Sequence, residues 1–239
     1  SATSLYDIKV IDNHYWLATN NGVYILDKNY QQLKHYNVSS ESHPLPSNEV
    51  RSIIQLNVST VWLGTTKGIS TVNLHNNSLE IYQKDQKSDS LTDNKIYKLI
   101  KDRTNKIWIG TSDGISTFNP VSTFFKHFQF SEQSENQNIE AFTELPNNTI
   151  LFARENAGIY KMTPSGNISQ LNIKVNGNIS HIISNKFGDI YFRTYSNRLY
   201  AYDIVTNKLV EHKSWNNKSQ HTIQNGLFLL ENSIWFINS

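Results

Sequence analysis

The sequence predicts an all-β fold, a β-propeller of four-stranded antiparallel blades, with five full repeats and a half blade. Three observations lead there. First, a cassette recurs at fixed spacing: Val61-Trp62-Leu63-Gly64-Thr65-Thr66-Lys67-Gly68-Ile69 returns 46 residues later as Ile107-Trp108-Ile109-Gly110-Thr111-Ser112-Asp113-Gly114-Ile115. Tyr15-Trp16-Leu17-Ala18-Thr19-Asn20-Asn21-Gly22-Val23 precedes it by the same 46. A fixed period of this size marks a repeat architecture. Second, each period holds four short runs of alternating apolar and polar residues separated by turn signals, the content of one blade. Third, with 12% aromatic and only 18% charged residues, and a polar remainder that is mostly Asn, Ser, Thr and Gln, the composition favours turn-rich β structure over a helical bundle.

The third repeat serves as the template. Ile96–Ile100 is a first strand, Lys106–Thr111 a second, Gly114–Asn119 a third and Phe124–Phe128 a fourth, with Ser112-Asp113-Gly114 and Asn119-Pro120 as turns. First strands recur at Leu5–Val10, Val50–Leu56, Ile139–Leu145, Ile179–Ser184 and Ile223–Leu230; fourth strands recur at Leu33–Tyr36, Leu79–Tyr82, Ile168–Ile173 and Leu209–His212. The second-strand cassette weakens to Leu151-Phe152-Ala153-Arg154, then Tyr191-Phe192-Arg193-Thr194, then Trp235-Phe236-Ile237. The repeats cover residues 4–37, 48–83, 94–129, 138–174, 178–213 and, in part, 222–239.

The recurring residues have structural readings. Gly22, Gly68 and Gly114 suit tight turns that need positive φ. Each of Trp16, Trp62 and Trp108 buries about 150–250 Å² between neighbouring blades. Gly64 and Gly110, with Ala18 and Ala153 in their place elsewhere, leave room for that ring or for the axis; Arg193 breaks the series. An Asn precedes each later first strand (Asn48, Asn94, Asn138, Asn178), where it fixes an inter-blade turn by bonding its own backbone.

Leu-x-x-Asn-x-Val followed by Val-Trp-Leu-Gly-Thr-x-x-Gly-Ile, from Leu45 to Ile69 and again from Leu91 to Ile115, resembles the two-component regulator propeller repeat. The likeness is strong in repeats two and three, fair in the first and eroded in the rest. It implies the extracytoplasmic sensor region of a bacterial hybrid histidine kinase or diguanylate cyclase. It also implies a periplasmic location, a seven-bladed ring of which this chain is a fragment, and an output module and membrane helix outside the chain.

Composition narrows the chemistry. A net charge of +2 supplies no strong field for nucleic acid or an anionic membrane surface. No Cys is present, which excludes disulfides, thiolate metal sites and a Cys nucleophile. No apolar run approaches the roughly 18–20 residues of a membrane span, and no signal-peptide pattern opens the chain. The eight His residues show no paired metal spacing, so no metal and no cofactor is expected. Asp7 and Glu140 are carboxylates on first strands, but nothing singles out a matched acid and base.

Binding residues of such a scaffold sit on loops. Repeats four and five have one more residue in the hairpin between their second and third strands, and bring Arg154, Glu155, Tyr195 and Arg198 there. Lys67, Asp113 and Asn21 occupy the same hairpins in repeats two, three and one. These seven are the candidate ligand residues, with Arg for a carboxylate or phosphate and Tyr195 for stacking. The expectation is a non-catalytic sensor of a small molecule or oligosaccharide, dimeric through its parent protein. A protein-interaction scaffold and a propeller lyase or glycosidase stay open as alternatives.

Overall fold

The structure, a computed structural model, describes residues 4–41, 43–86, 90–120, 125–128, 130, 138–185 and 187–211, with the backbone of 227–230 and 233–236. Among the described residues, five four-stranded sheets and one two-stranded sheet follow in chain order, all pairs antiparallel. The class is all-β, a β-propeller of four-stranded blades. Three blades lie in a first compact unit, residues 1–129, and the rest in a second, residues 130–239.

In the first unit, blade 1 is β1 (Leu5–Ile11), β2 (His14–Thr19), β3 (Gly22–Leu26) and β4 (Gln32–Tyr36). Blade 2 is β5 (Val50–Asn57), β6 (Thr60–Thr65), β7 (Gly68–Asn73) and β8 (Leu79–Tyr82). Blade 3 is β9 (Ile96–Lys101), β10 (Ile107–Thr111), β11 (Gly114–Phe118) and β12 (Phe125–Phe128). In the second unit, blade 4 is β13 (Ile139–Glu144), β14 (Ile150–Arg154), β15 (Gly158–Met162) and β16 (Ile168–Gln170). Blade 5 is β17 (Ile179–Ser184), β18 (Ile190–Thr194), β19 (Leu199–Asp203) and β20 (Lys208–Glu211). The half blade is β21 (Leu227–Leu230) paired with β22 (Ser233–Phe236). The strand order and the five-and-a-half count match the sequence reading. The expected strand residues 223–226, Phe124, His212 and Ile237 lie outside the described residues.

The cores sit between successive sheets. Trp16, Ala18 and Val23 of blade 1 cluster with Val50, Ile53, Val61 and Leu63 of blade 2. Trp62 and Ile69 of blade 2 cluster with Ile96, Leu99 and Ile107 of blade 3. Trp16 and Trp62 are therefore inter-blade, and all three cassette tryptophans lie on an aromatic of their own fourth strand: Trp16 on Tyr36 at 6.4 Å, Trp62 on Tyr82 at 5.8 Å, Trp108 on Phe128 at 6.1 Å. Trp108 also donates its indole N–H to Asp102 Oδ2 at 2.7 Å, while Asp102 Oδ1 accepts from the Thr104 and Lys106 amides and ties the β9–β10 hairpin.

Two small residue positions have sharper reasons than the sequence offered. At Gly64, a Cβ would lie 2.8 Å from Ile96 Cγ2 and 3.3 Å from Leu99 Cδ1. The missing methyl makes room for the next blade's first strand, not for the Trp ring or the axis. At Gly68, φ is +109°, and a Cβ would collide with the Tyr82 carbonyl of the outer strand. The turn reading holds there for both backbone and space.

The recurring Asn works differently from its sequence reading. Asn48 Oδ1 accepts from the Val38 amide at 2.9 Å, and Asn94 Oδ1 from the Lys84 amide at 2.6 Å, each ten residues upstream. The side chain closes the inter-blade loop instead of bonding its own backbone. The carbonyls of the same residues accept the Gly22 and Gly68 amides of the preceding blade's hairpin, at 2.6 and 2.7 Å. One residue thus staples two blades.

Candidate ligand-binding site

Every described first strand of the five full blades carries an irregularity at the same place. Register shifts fall between Leu5 and Asp7, Val50 and Ser52, Ile139 and Ala141, and Ile179 and His181; in blade 3 the shift lies opposite Ile96 and Lys98. The extra residues are Tyr6, Arg51, Tyr97, Glu140 and Ser180. The cause is written in the sequence as apolar-x-x-apolar: Val50/Ile53, Ile96/Leu99, Ile139/Phe142, Ile179/Ile182, all 6% exposed or less. A regular strand would send residues three apart to opposite faces. One inserted residue returns both to the buried face, and bulges of this kind re-aim side chains.

In the first unit the bulges bring three side chains together. The Arg51 guanidinium carbon lies 5.7 Å from the Tyr6 ring centroid and 4.7 Å from that of Tyr97. Glu49 Oε1 accepts from Arg51 Nε at 2.9 Å and from Nη2 at 2.6 Å, so the cation is neutralised at its edge and stacked on rings. Lys95 Nζ sits 5.1 Å from the Tyr97 centroid. Burial, reinforced by the neighbouring Glu49 carboxylate and only partly opposed by Arg51, pushes the Tyr6 phenol up from its ordinary value.

The residue after each bulge forms a second layer. Asp7 is 2% exposed. Its Oδ2 accepts from the Ile53 amide at 3.0 Å and from Ser52 Oγ at 3.2 Å, and its Oδ1 from the Ile8 amide at 3.1 Å. Ser52 Oγ in turn meets the Leu99 amide at 3.1 Å, so one chain of contacts spans the first strands of blades 1, 2 and 3. Lys98 Nζ approaches Asp7 Oδ2 at 3.6 Å and Lys9 Nζ approaches Oδ1 at 3.9 Å. Burial alone would raise the Asp7 pKa; Lys9, Lys98 and the Ile53 and Ser52 hydrogen bonds outweigh it and hold the carboxyl below its ordinary value.

The residues singled out from sequence are placed differently. Arg154 closes β14 at 3% exposure, its guanidinium 4.4 Å from the Phe130 centroid and 5.2 Å from that of Tyr160. It takes the place of Thr19, Thr65 and Thr111, whose hydroxyls cap the shorter hairpins by donating to the carbonyls of Gly22, Gly68 and Gly114. Glu155 Oε2 accepts from Asn138 Nδ2, and Arg198 Nη1 donates to Glu211 Oε1 at 3.1 Å. Tyr195 is 59% exposed. Asn21 Nδ2 donates to the Tyr24 hydroxyl at 2.7 Å, the Lys67 carbonyl accepts from Gln83 Nε2 at 2.9 Å, and Asp113 Oδ2 lies 4.0 Å from Lys84 Nζ. These contacts fasten each residue to its own hairpin, outer strand or inter-blade loop. The longer hairpins of blades 4 and 5 are real: Asn156 takes φ of +56° between Arg154 and Gly158, and Asn197 takes +60° in a turn closed by the Thr194 amide on the Arg198 carbonyl at 3.0 Å.

Sequence reasoning missed Arg51, Tyr6, Tyr97, Lys9 and Lys98. The signal that finds them is the three-residue gap between apolar positions in each first strand, a local loss of period two.

Residues 90–113 match the family model of the two component regulator propeller. This segment is similar to a regulator propeller repeat. The matched segment runs from the inter-blade turn at Leu91 to the hairpin at Asp113, and so supplies Tyr97 and Lys98. No curated protein matches the chain. Among solved structures, the chain is similar to the extracellular domain of BT4673 from B. thetaiotaomicron, assigned as a hybrid two component system, with a TM-score of 0.77 and 24% identity over 97% of this chain and 31% of that one. The extracellular domain of BT3049 from the same organism, likewise assigned, matches with a TM-score of 0.66 and 21% identity over 82% of this chain and 26% of that one. A virginiamycin B lyase from Staphylococcus aureus matches with a TM-score of 0.72 and 14% identity over 98% of this chain and 76% of that one. At these identities the three share the fold. The chain spans about a third of the length of the BT4673 structure.

Proposed function

We propose that this chain is the extracytoplasmic sensing propeller of a transmembrane signalling protein, non-catalytic in itself. The observation that carries the reading is the match to the regulator propeller at residues 90–113, seated in a chain that is similar over 97% of its length to the extracellular domain of BT4673. The geometry supports it: the bulged first strands hold a preformed aromatic and charged cluster on rigid sheets, the arrangement a receptor site needs. Among the described residues no three metal-binding side chains converge, and no helix is long and apolar enough to cross a membrane. Ligand binding shifts the balance between blade or dimer arrangements, which a module outside the chain reads.

Two measurements test this. A protease-site tag placed in the exposed β17–β18 hairpin of the parent protein should be cut in spheroplasts without lysis; cutting only after lysis overturns the extracytoplasmic placement. A reporter of the parent's output should respond to a soluble ligand and lose that response when Arg51 is replaced by Ala. A response indifferent to Arg51→Ala would move the ligand away from the first-strand cluster.

A further inference from the structure

We infer that Lys9 and Lys98 form a receptor for a small anion, its carboxylate or phosphate oxygens bridging the two ammonium groups beside Asp7. Two cations face one carboxylate there, and the carboxylate is already engaged by two backbone amides and the Ser52 hydroxyl. Separations of 3.6 and 3.9 Å give ion pairing but exceed the roughly 2.7–3.2 Å of a hydrogen bond. Each ammonium has three donors, and among the described residues neither finds an acceptor within hydrogen-bond range. The neighbouring Arg51 does not share the surplus, since Glu49 neutralises it at 2.6 Å. The lysine side chains are 44% and 23% exposed, deep enough to strengthen a charge-assisted bond and open enough to admit an ion. Burial lowers the Lys98 pKa, Asp7 opposes it through its charge and Lys9 adds to the lowering. The site places a ligand class on the sensing reading and rests on that reading only for its purpose.

The test is isothermal titration of the full chain with sodium succinate and with sodium phosphate, at ionic strength held by sodium chloride, with glucose as the uncharged control. Saturable binding of one anion per chain is expected, weakened at least tenfold in Lys98→Met and largely restored in Lys98→Arg. Asp7→Asn, which removes the competing charge and keeps one of the two acceptor oxygens, should tighten binding. Preference for succinate or for phosphate tells carboxylate from phosphate recognition. Absence of saturable binding overturns the inference, as does equal affinity of wild type and Lys98→Met. Should Lys98→Met fail to unfold cooperatively, Lys9→Met, at a more exposed position, gives the same reading with a smaller loss. Anion binding without any change in the parent's output would defeat the sensing reading and leave the receptor standing; signalling without anion binding would do the reverse.

Discussion

The two units reach the same blade with different side chains. In the first, the bulk of each second strand is a Trp that lies on an aromatic of its own fourth strand, and Trp16 and Trp62 pack toward the next blade. In the second, those positions hold Leu151 and Tyr191, and the bulk has moved one residue on, to Phe152 and Phe192, both 0% exposed. Successive strand residues face opposite sides, so the aromatic mass has crossed the sheet. There Phe152 stacks on Tyr160 at 5.6 Å and Phe192 lies 5.7 Å from Tyr202. A blade needs its inter-sheet volume filled to close-packed density, and either face can carry the large ring. The Trp-Gly cassette is one solution among several, which is why the repeat fades along the chain while the four-stranded sheet does not.

The largest expected effects test whether the two solutions are equivalent. Trp62→Ala and Phe192→Ala should each cost about 3–5 kcal/mol in urea unfolding. A loss at Phe192 well under half that at Trp62 would mean the second unit is packed more loosely and the faces are not interchangeable.

Asp7 sharpens the contrast further, because the second unit has Ala141 and His181 at the equivalent post-bulge position. Asp7→Ala leaves two lysines facing no carboxylate and should cost about 3–5 kcal/mol. The folded pKa of Asp7 lies below 3.8, so its stabilisation is complete above 3.8 and is lost as pH falls through the lower folded value. Acid titration of unfolding should therefore show a downturn below 3.8 that is reduced in Asp7→Asn. An unchanged acid limb would assign the downturn to other carboxylates.

A smaller effect is expected at Gly64. Ala occupies the matching position in blades 1 and 4, at Ala18 and Ala153, both fully buried. In blade 2 the Cβ would press on Ile96 and Leu99, and Gly64→Ala should cost about 1–3 kcal/mol by overpacking. The reverse change, Ala153→Gly, should cost about 1 kcal/mol through lost β propensity and burial. Equal effects of both changes would show that inter-blade spacing adapts freely.

The fold was legible because its signals are local and repeated: period-two runs, Gly at positive-φ turns, Trp at a constant interval. The site was less so. Arg154 stood out as a charged residue in a lengthened hairpin, but residue type says nothing of direction, and the chain folds Phe130 and Tyr160 over it. Arg51 looked like an ordinary polar residue of an alternating strand. Only the gap between Val50 and Ile53 betrays the bulge that turns it toward Tyr6 and Tyr97. Contacts between blades join residues about 46 apart, such as Asp7 with Ile53, and no window of sequence displays them.

The smallest prediction separates blades 2 and 3, which share the Trp-x-Gly-Thr-x-x-Gly-Ile-Ser-Thr cassette. In blade 3 the buried Ser116 Oγ accepts from the Thr92 amide at 3.0 Å and meets the Thr92 hydroxyl at 3.0 Å. In blade 2 the residue matching Thr92 is Pro46, which has neither an N–H nor a hydroxyl. The matching Ser70, 0% exposed, is left with a hydroxyl that has no hydrogen-bond partner among the described residues. A buried polar group that loses its partner costs about 1–3 kcal/mol, so Ser116→Ala, which strands the Thr92 amide, should destabilise by that amount. Ser70→Ala removes a hydroxyl that bonds to nothing and should be neutral or slightly stabilising in the same unfolding assay. Pro46→Thr should then restore a partner and make Ser70→Ala costly. If Ser70→Ala destabilises as much as Ser116→Ala in the wild-type background, the hydroxyl is satisfied in solution and the Pro46 account of the difference fails.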